Sequence, residues 1–133
     1  MSAPNIITGY ASGAITAGCW VRIAGAEGGL PQVIQSTDGT TATAHNNCGI
    51  ALDTVADNAL VSVQIGDLCH VATAAASITL GAMVTCDANG KTKVAASGDR
   101  AIGRLIKGNA STGATADTAP CTILIFPTPF TVA

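Results

Sequence analysis

Three observations on this 133-residue sequence predict an all-β fold, a small barrel or sandwich of short antiparallel strands. Apolar and polar residues alternate over short runs, and no segment keeps a helical period over about ten residues. Fifteen glycines, with many Thr and Val, favour tight turns and short strands over helices. Turn signals recur at a spacing of roughly 8–12 residues, as in barrels and sandwiches.

The elements follow in order. Met1 to Gly13 is small and polar, punctuated by Pro4 and Gly9. It reads as an extended N-terminal arm with an edge strand at Ile6 to Tyr10. Cys19 to Ala24 is a strand and Glu27-Gly28-Gly29 a loop. Leu30 to Gln35 is a strand that Pro31, with no N–H to give, places at a sheet edge. Asp38-Gly39 is a turn. Cys48 to Leu52 is a strand, and Asp53 to Asn58 leaves room for one helical turn. Ala59 to Ile65 alternates, with Val61, Val63 and Ile65 on one face. Gly66-Asp67 turns the chain into a strand at Leu68 to Ala72. Asn89-Gly90 is the strongest local signal, a hairpin joining Met83 to Asp87 with Lys91 to Val94. Ala101 to Lys107 is a strand, Gly108 to Pro120 a long exposed loop, and Cys121 to Phe126 the last strand. Pro127-Thr128-Pro129-Phe130 then forces an extended tail with an apolar tip.

An internal repeat organises these elements. The pattern I-T-x-G-x-x-V at Ile15 returns at Ile78, 63 residues later. Val33 matches Val94, Gly49 to Leu52 matches Gly103 to Ile106, and Val61, Val63 and Ile65 match Cys121, Ile123 and Ile125. The order of these features points to a duplicated β unit. The chain thus divides into an arm (1–13), a β domain (14–126, repeats 14–66 and 77–126) and a Pro-rich tail (127–133).

Composition excludes several function classes. Charged residues are 11 % of the chain, against about 25 % in an ordinary globular domain. That shortage predicts a surface that faces other protein. Six basic residues are scattered singly, with no nucleic-acid footprint. No apolar run reaches the roughly 18 residues of a membrane span, and the N-terminus lacks the features of a secretory signal. The five cysteines, Cys19, Cys48, Cys69, Cys86 and Cys121, are odd in number and form no C-x-x-C pair. They read as buried free thiols in a reducing compartment.

No catalytic constellation emerges. His45 and Cys48 stand three apart, the spacing of half a metal site or of a nucleophile and its base, but the run reads more simply as a polar loop entering a buried Cys. His70 and Cys69 are strand neighbours and point to opposite faces. Asp38, Asp53, Asp57, Asp67, Asp87 and Asp99 sit at turns, where a carboxylate caps backbone N–H groups. No catalytic residue, metal or cofactor is expected. Trp20, the single Trp, is a core anchor or, with Arg22 two residues on, part of an interface patch.

One stretch carries a family resemblance. Ile78, Thr79, Gly81, Val84, Asp87, Gly90 and Lys91, then Val94, Ser97 and Gly98, then Ile102, Gly103 and Leu105, resemble the capsid cement (head decoration) proteins of tailed bacteriophages. Gly49 to Asp53 and Val61 to Gly66 fit the same pattern, so the resemblance covers about residues 14 to 126. Ser36 to Asn47 is long for the family, and the arm and tail lie outside it. The resemblance implies a non-enzymatic virion protein, often a homotrimer, on the outer capsid surface. There it would bind the major capsid protein, bridge neighbouring capsomers and resist internal DNA pressure, with no nucleic-acid or membrane partner. Asn5, Ile6, Ile7 and Thr8, with Pro127, Pro129 and Phe130, are then expected as clasping arms that add to a neighbour's sheet edge. The alternatives are a sugar-binding β-clip-like module and another structural virion protein such as a tail component.

Overall fold

The computed structural model describes residues 5–27, 29–37, 47–65, 68–114 and 119–132. Among the described residues, twelve strands form three sheets. Strands β1 (Asn5–Ala11), β2 (Trp20–Glu27), β3 (Leu30–Gln35), β4 (Asn47–Ala51) and β5 (Leu60–Ile65) close a barrel in the order β1-β3-β2-β4-β5. Strands β6 (Leu68–Thr73), β8 (Met83–Cys86), β9 (Thr92–Val94), β10 (Arg100–Lys107) and β12 (Pro120–Thr131) form a second sheet, ordered β6-β12-β10-β8-β9. The short pair β7 (Ile78–Thr79) and β11 (Gly113–Ala114) lies beside it.

Strand for strand, residues 68–131 follow the plan of residues 5–65. In the first unit β1 pairs with β3 in parallel, Ala11 opposite Val33. In the second, a parallel bridge joins Ala74 to Thr92 and brings the ends of that sheet together. The loop hydrogen bonds repeat too. Gly18 N donates to Ala51 O and Ala51 N to Cys19 O; Gly81 N donates to Leu105 O and Leu105 N to Ala82 O. Gly18 and Gly81 both have φ of 86°, a left-handed turn that glycine adopts without steric cost. The register corrects one matched position: Val33 corresponds to Thr92 rather than Val94, because each faces the equivalent alanine of the first strand.

Each unit has its own core. Ile15, Val21, Val33, Val61 and Val63 fill the barrel, and Val84, Ile102, Leu105 and Ile123 fill the second unit. Trp20 and Ile50 belong to the first unit by sequence but pack in the core of the second. Strand alternation explains this. Val21 points into the barrel, so its neighbour Trp20 points out, and the outside at that point is the second unit.

Several expectations are corrected. Residues 5–11, read as part of a free arm with an edge strand, form β1 inside the closed barrel, hydrogen-bonded along β5 and joined to β3 at Tyr10 and Ala11. β3 is interior rather than an edge; Pro31 sits by the hairpin end, opposite Ala26 and before the point where β1 joins. Asp53 to Asn58 forms no helical turn, because Val55 bridges to Ile15. Gly113 and Ala114 lie buried within the stretch read as an exposed loop. The tail is a continuation of β12, with Phe130 opposite Ala101 and Thr131 opposite Arg100. Pro127 and Pro129 fall between Ile125 and Phe130, where the ladder is irregular and a missing N–H costs little.

Candidate interaction surface

Among the described residues, no group of three His, Cys, Asp or Glu side chains converges. His45 lies outside the described residues, as do the side chains of Cys48, Cys69 and His70. The turn aspartates bond backbone N–H groups. Asp87 Oδ1 accepts from Asn89 N and Lys91 N, both at 2.8 Å; Asp57 Oδ1 accepts from Gly13 N at 2.8 Å; Asp99 Oδ2 accepts from Ala96 N at 3.0 Å. These carboxylates hold turns in place. Asp38 and Asp67 lie outside the described residues.

Cys19, Cys86 and Cys121 are buried free thiols. Cys86 Sγ lies 3.1 Å from Ser36 Oγ. Burial pushes the Cys19 thiol above its ordinary pKa of 9.0, partly offset by the nearby Lys91 charge. In native protein at neutral pH, Cys19 is therefore expected to label far more slowly with a thiol reagent than in denaturant, as mapped by mass spectrometry. The folded pKa is the higher one, so the unfolded chain loses this proton first. The group leaves stability unchanged below the unfolded pKa and lowers it as pH rises through about 9. Equal labelling rates in native and denatured protein would refute the shielding.

The residues expected at an interface separate on the structure. Along β1, Ile6 and Thr8 point outward, Ile6 at 51 % exposure, while Ile7 turns inward onto the barrel core. Asn5 to Thr8 are paired with Ile65 to Ser62, so this edge of the backbone is already bonded within the chain. Trp20 is 1 % exposed, and its Nε1 donates to Thr92 Oγ1 at 2.9 Å. It is a core anchor, so Trp20 and Arg22 do not form a contact patch together. Arg22 is half-buried opposite Ile34. Phe130 is exposed, and its ring stacks on Phe126 with centroids 5.8 Å apart and an interplanar angle of 25°. Both phenylalanines of the chain thus lie together on the last strand.

Exposed Leu60, Leu80, Ile106 and Leu124 were missed from sequence. For Leu124 a signal existed: with Ile123 facing in, strict alternation turns Leu124 out, but the unbroken run Ile123 to Phe126 hides the phase. Leu80 and Ile106 line an open groove of about 430 Å³ with Lys107, Gly108, Asn109, Ala110 and Ser111. No aromatic residue lines it to stack a sugar ring.

The layout is therefore a two-unit β body with outward apolar side chains on several strands. A solved phage structure shares this architecture. The chain is similar to the head fiber gp8.5 N base of bacteriophage phi29, with a TM-score of 0.67 and 14 % identity. The match covers 96 % of this chain and 98 % of that one. At this identity the likeness is one of fold. No family model and no curated protein matches the sequence.

Proposed function

We propose that this chain is a non-enzymatic structural virion protein of a tailed bacteriophage that decorates the head. The observation that carries this is the fold likeness to the phage head fiber base, which spans both chains almost end to end. The low charge supports it, as does the resemblance of the Ile78 to Ile106 stretch to capsid cement proteins. In this reading the chain binds the outer surface of the head, bridges neighbouring subunits of the major capsid protein and stabilises the shell against internal DNA pressure. Repeated identical contacts on a lattice sum their free energies, so each copy needs little area. The exposed Phe130, backed by Phe126, is the anchor on the capsid side, since large aromatics dominate such interfaces.

The test mixes purified protein with expanded, undecorated phage heads. Saturable binding and a raised temperature of DNA release are expected. Phe130→Ala is expected to weaken binding by about 2 kcal/mol, roughly 30-fold, with little change in thermal unfolding. Absence of binding rejects head decoration. Binding that leaves the release temperature unchanged favours a second reading, that of a fiber base seated on the head without bridging it, which the same likeness supports.

A further inference from the structure

Charge is unevenly shared along this chain. Residues 1–65 carry one cation, Arg22, against Glu27, Asp38, Asp53 and Asp57, a net of −3. Residues 68–133 carry Lys91, Lys93, Arg100, Arg104 and Lys107 against Asp87, Asp99 and Asp117, a net of +2. Asp67, between them, brings the total to −2. Five of the six cations therefore belong to the second unit, and two of them stand on its outer face.

That face is also apolar. Arg104 on β10 lies opposite Leu124 on β12, and both are exposed. Arg104 Nη1 donates to Gly81 O at 2.8 Å, which ties the guanidinium to the turn that bears exposed Leu80. Leu80 lines the open groove together with exposed Ile106 and Lys107. Among the described residues, neither Arg104 nor Lys107 has a carboxylate partner. Two positions along β12 from Leu124, and on the same side by alternation, Phe126 stacks with Phe130. The face thus runs on to the aromatic pair. The first unit treats the equivalent place differently. Ile50 stands where the second unit has Arg104, and it is buried with Trp20 in the second unit's core. A cation at that place suits a carboxylate or water, not an apolar core.

We propose that this outer face of the second unit is the docking face, and that its occupant is a patch of the major capsid protein in which carboxylates stand among apolar side chains. The inference rests on head decoration and adds which face binds and what chemistry it meets. Leu80, Ile106 and Leu124 supply apolar contact area next to the Phe130 anchor. Arg104 and Lys107 supply charge complementarity, which orients the partner and speeds encounter. Nucleic acid is the poorer match, because two cations set among apolar side chains do not track a phosphate backbone.

Binding to expanded, undecorated heads at low and high salt tests it. Arg104→Glu is expected to weaken binding about tenfold or more at low salt and by a smaller factor at high salt, since salt screens exposed charges. The control carries the same change in net charge on the first unit: Thr8→Glu with Leu60→Glu, both at exposed positions. It is expected to bind within about twofold of the wild type, as charges outside the contact are screened by salt. If Arg104→Glu fails to melt cooperatively, Lys107→Glu, at an exposed position, takes its place. Heads that bind the wild type and the folded Glu variant equally overturn the docking face and leave head decoration standing. A control that loses as much binding as Arg104→Glu also overturns it, because bulk charge then explains the effect. Heads that bind no wild type reject head decoration, and the docking face falls with it. Wild-type binding to purified DNA that Arg104→Glu abolishes overturns the choice of a protein partner.

Discussion

Trp20→Ala is expected to destabilise the protein by about 3–5 kcal/mol, the range for removing a large buried aromatic. Against a total stability of roughly 5–15 kcal/mol, that lowers the melting temperature on the order of 10–20 °C. The size follows from position. Trp20 is 1 % exposed, packs in the second unit's core and bonds Thr92, whose own exposure is 0 %. Truncation opens a cavity between the units and leaves a buried hydroxyl without its indole donor. Trp20→Phe keeps most of the volume and loses the N–H, so it is expected to cost about 1–3 kcal/mol. Thermal and denaturant melts of both variants measure the difference. A Trp20→Ala loss below about 1 kcal/mol would show that the units hold together without this anchor.

Gly49→Ala and Gly103→Ala are expected to cost about 3 kcal/mol each, the upper end for overpacking. The two glycines occupy equivalent places, opposite Val21 and Val84. A Cβ on Gly49 would strike the carbonyl oxygen of Gln64 and approach Ile65 Cγ2 at 2.9 Å. On Gly103 it would meet Leu124 O at 2.7 Å and Ile123 Cγ2 at 2.6 Å. In both units the obstacle is backbone, which cannot swing aside. Gly25→Ala is the control: its Cβ would meet only the flexible end of Gln32, at 3.2 Å. Denaturant melts should rank Gly49→Ala and Gly103→Ala well below Gly25→Ala. Equal stabilities would mean that the strands slide apart to admit the methyl.

The sequence carried the hairpin and the repeat because their signals are local. Asn89-Gly90 marks the β8–β9 turn, with Gly90 at φ of 78°. Ile15 and Ile78 are buried at matching places, 1 % and 2 % exposed, each near a glycine of φ 86°. Alternation in β5 told which side faces the barrel. It could not tell that the opposite side of β2 and β4 is also covered, so Trp20 looked free to serve as a contact. That information lies in how the two units dock. Pro127 and Pro129 announced extended backbone correctly, but extended backbone is also strand backbone. Only the pairing of Phe130 with Ala101 distinguishes a tail from the end of β12. No catalytic site was read from the residues, and the interface residues scattered because exposure depends on neighbours far along the chain.

The placing of Trp20 and Ile50 also bears on synthesis. All five barrel strands precede residue 66, so the first unit can close while the rest of the chain is still being made. Its outward Trp20 and Ile50 then stand bare. They stay so until the second unit forms, and that unit needs β12, its last strand, between β6 and β10. For that interval the nascent chain presents a sticky tryptophan face, the kind of transient surface that drives aggregation of half-made proteins. Ribosome stalling or truncation between β5 and β12 would therefore leave the Trp20 and Ile50 face without the core that covers it.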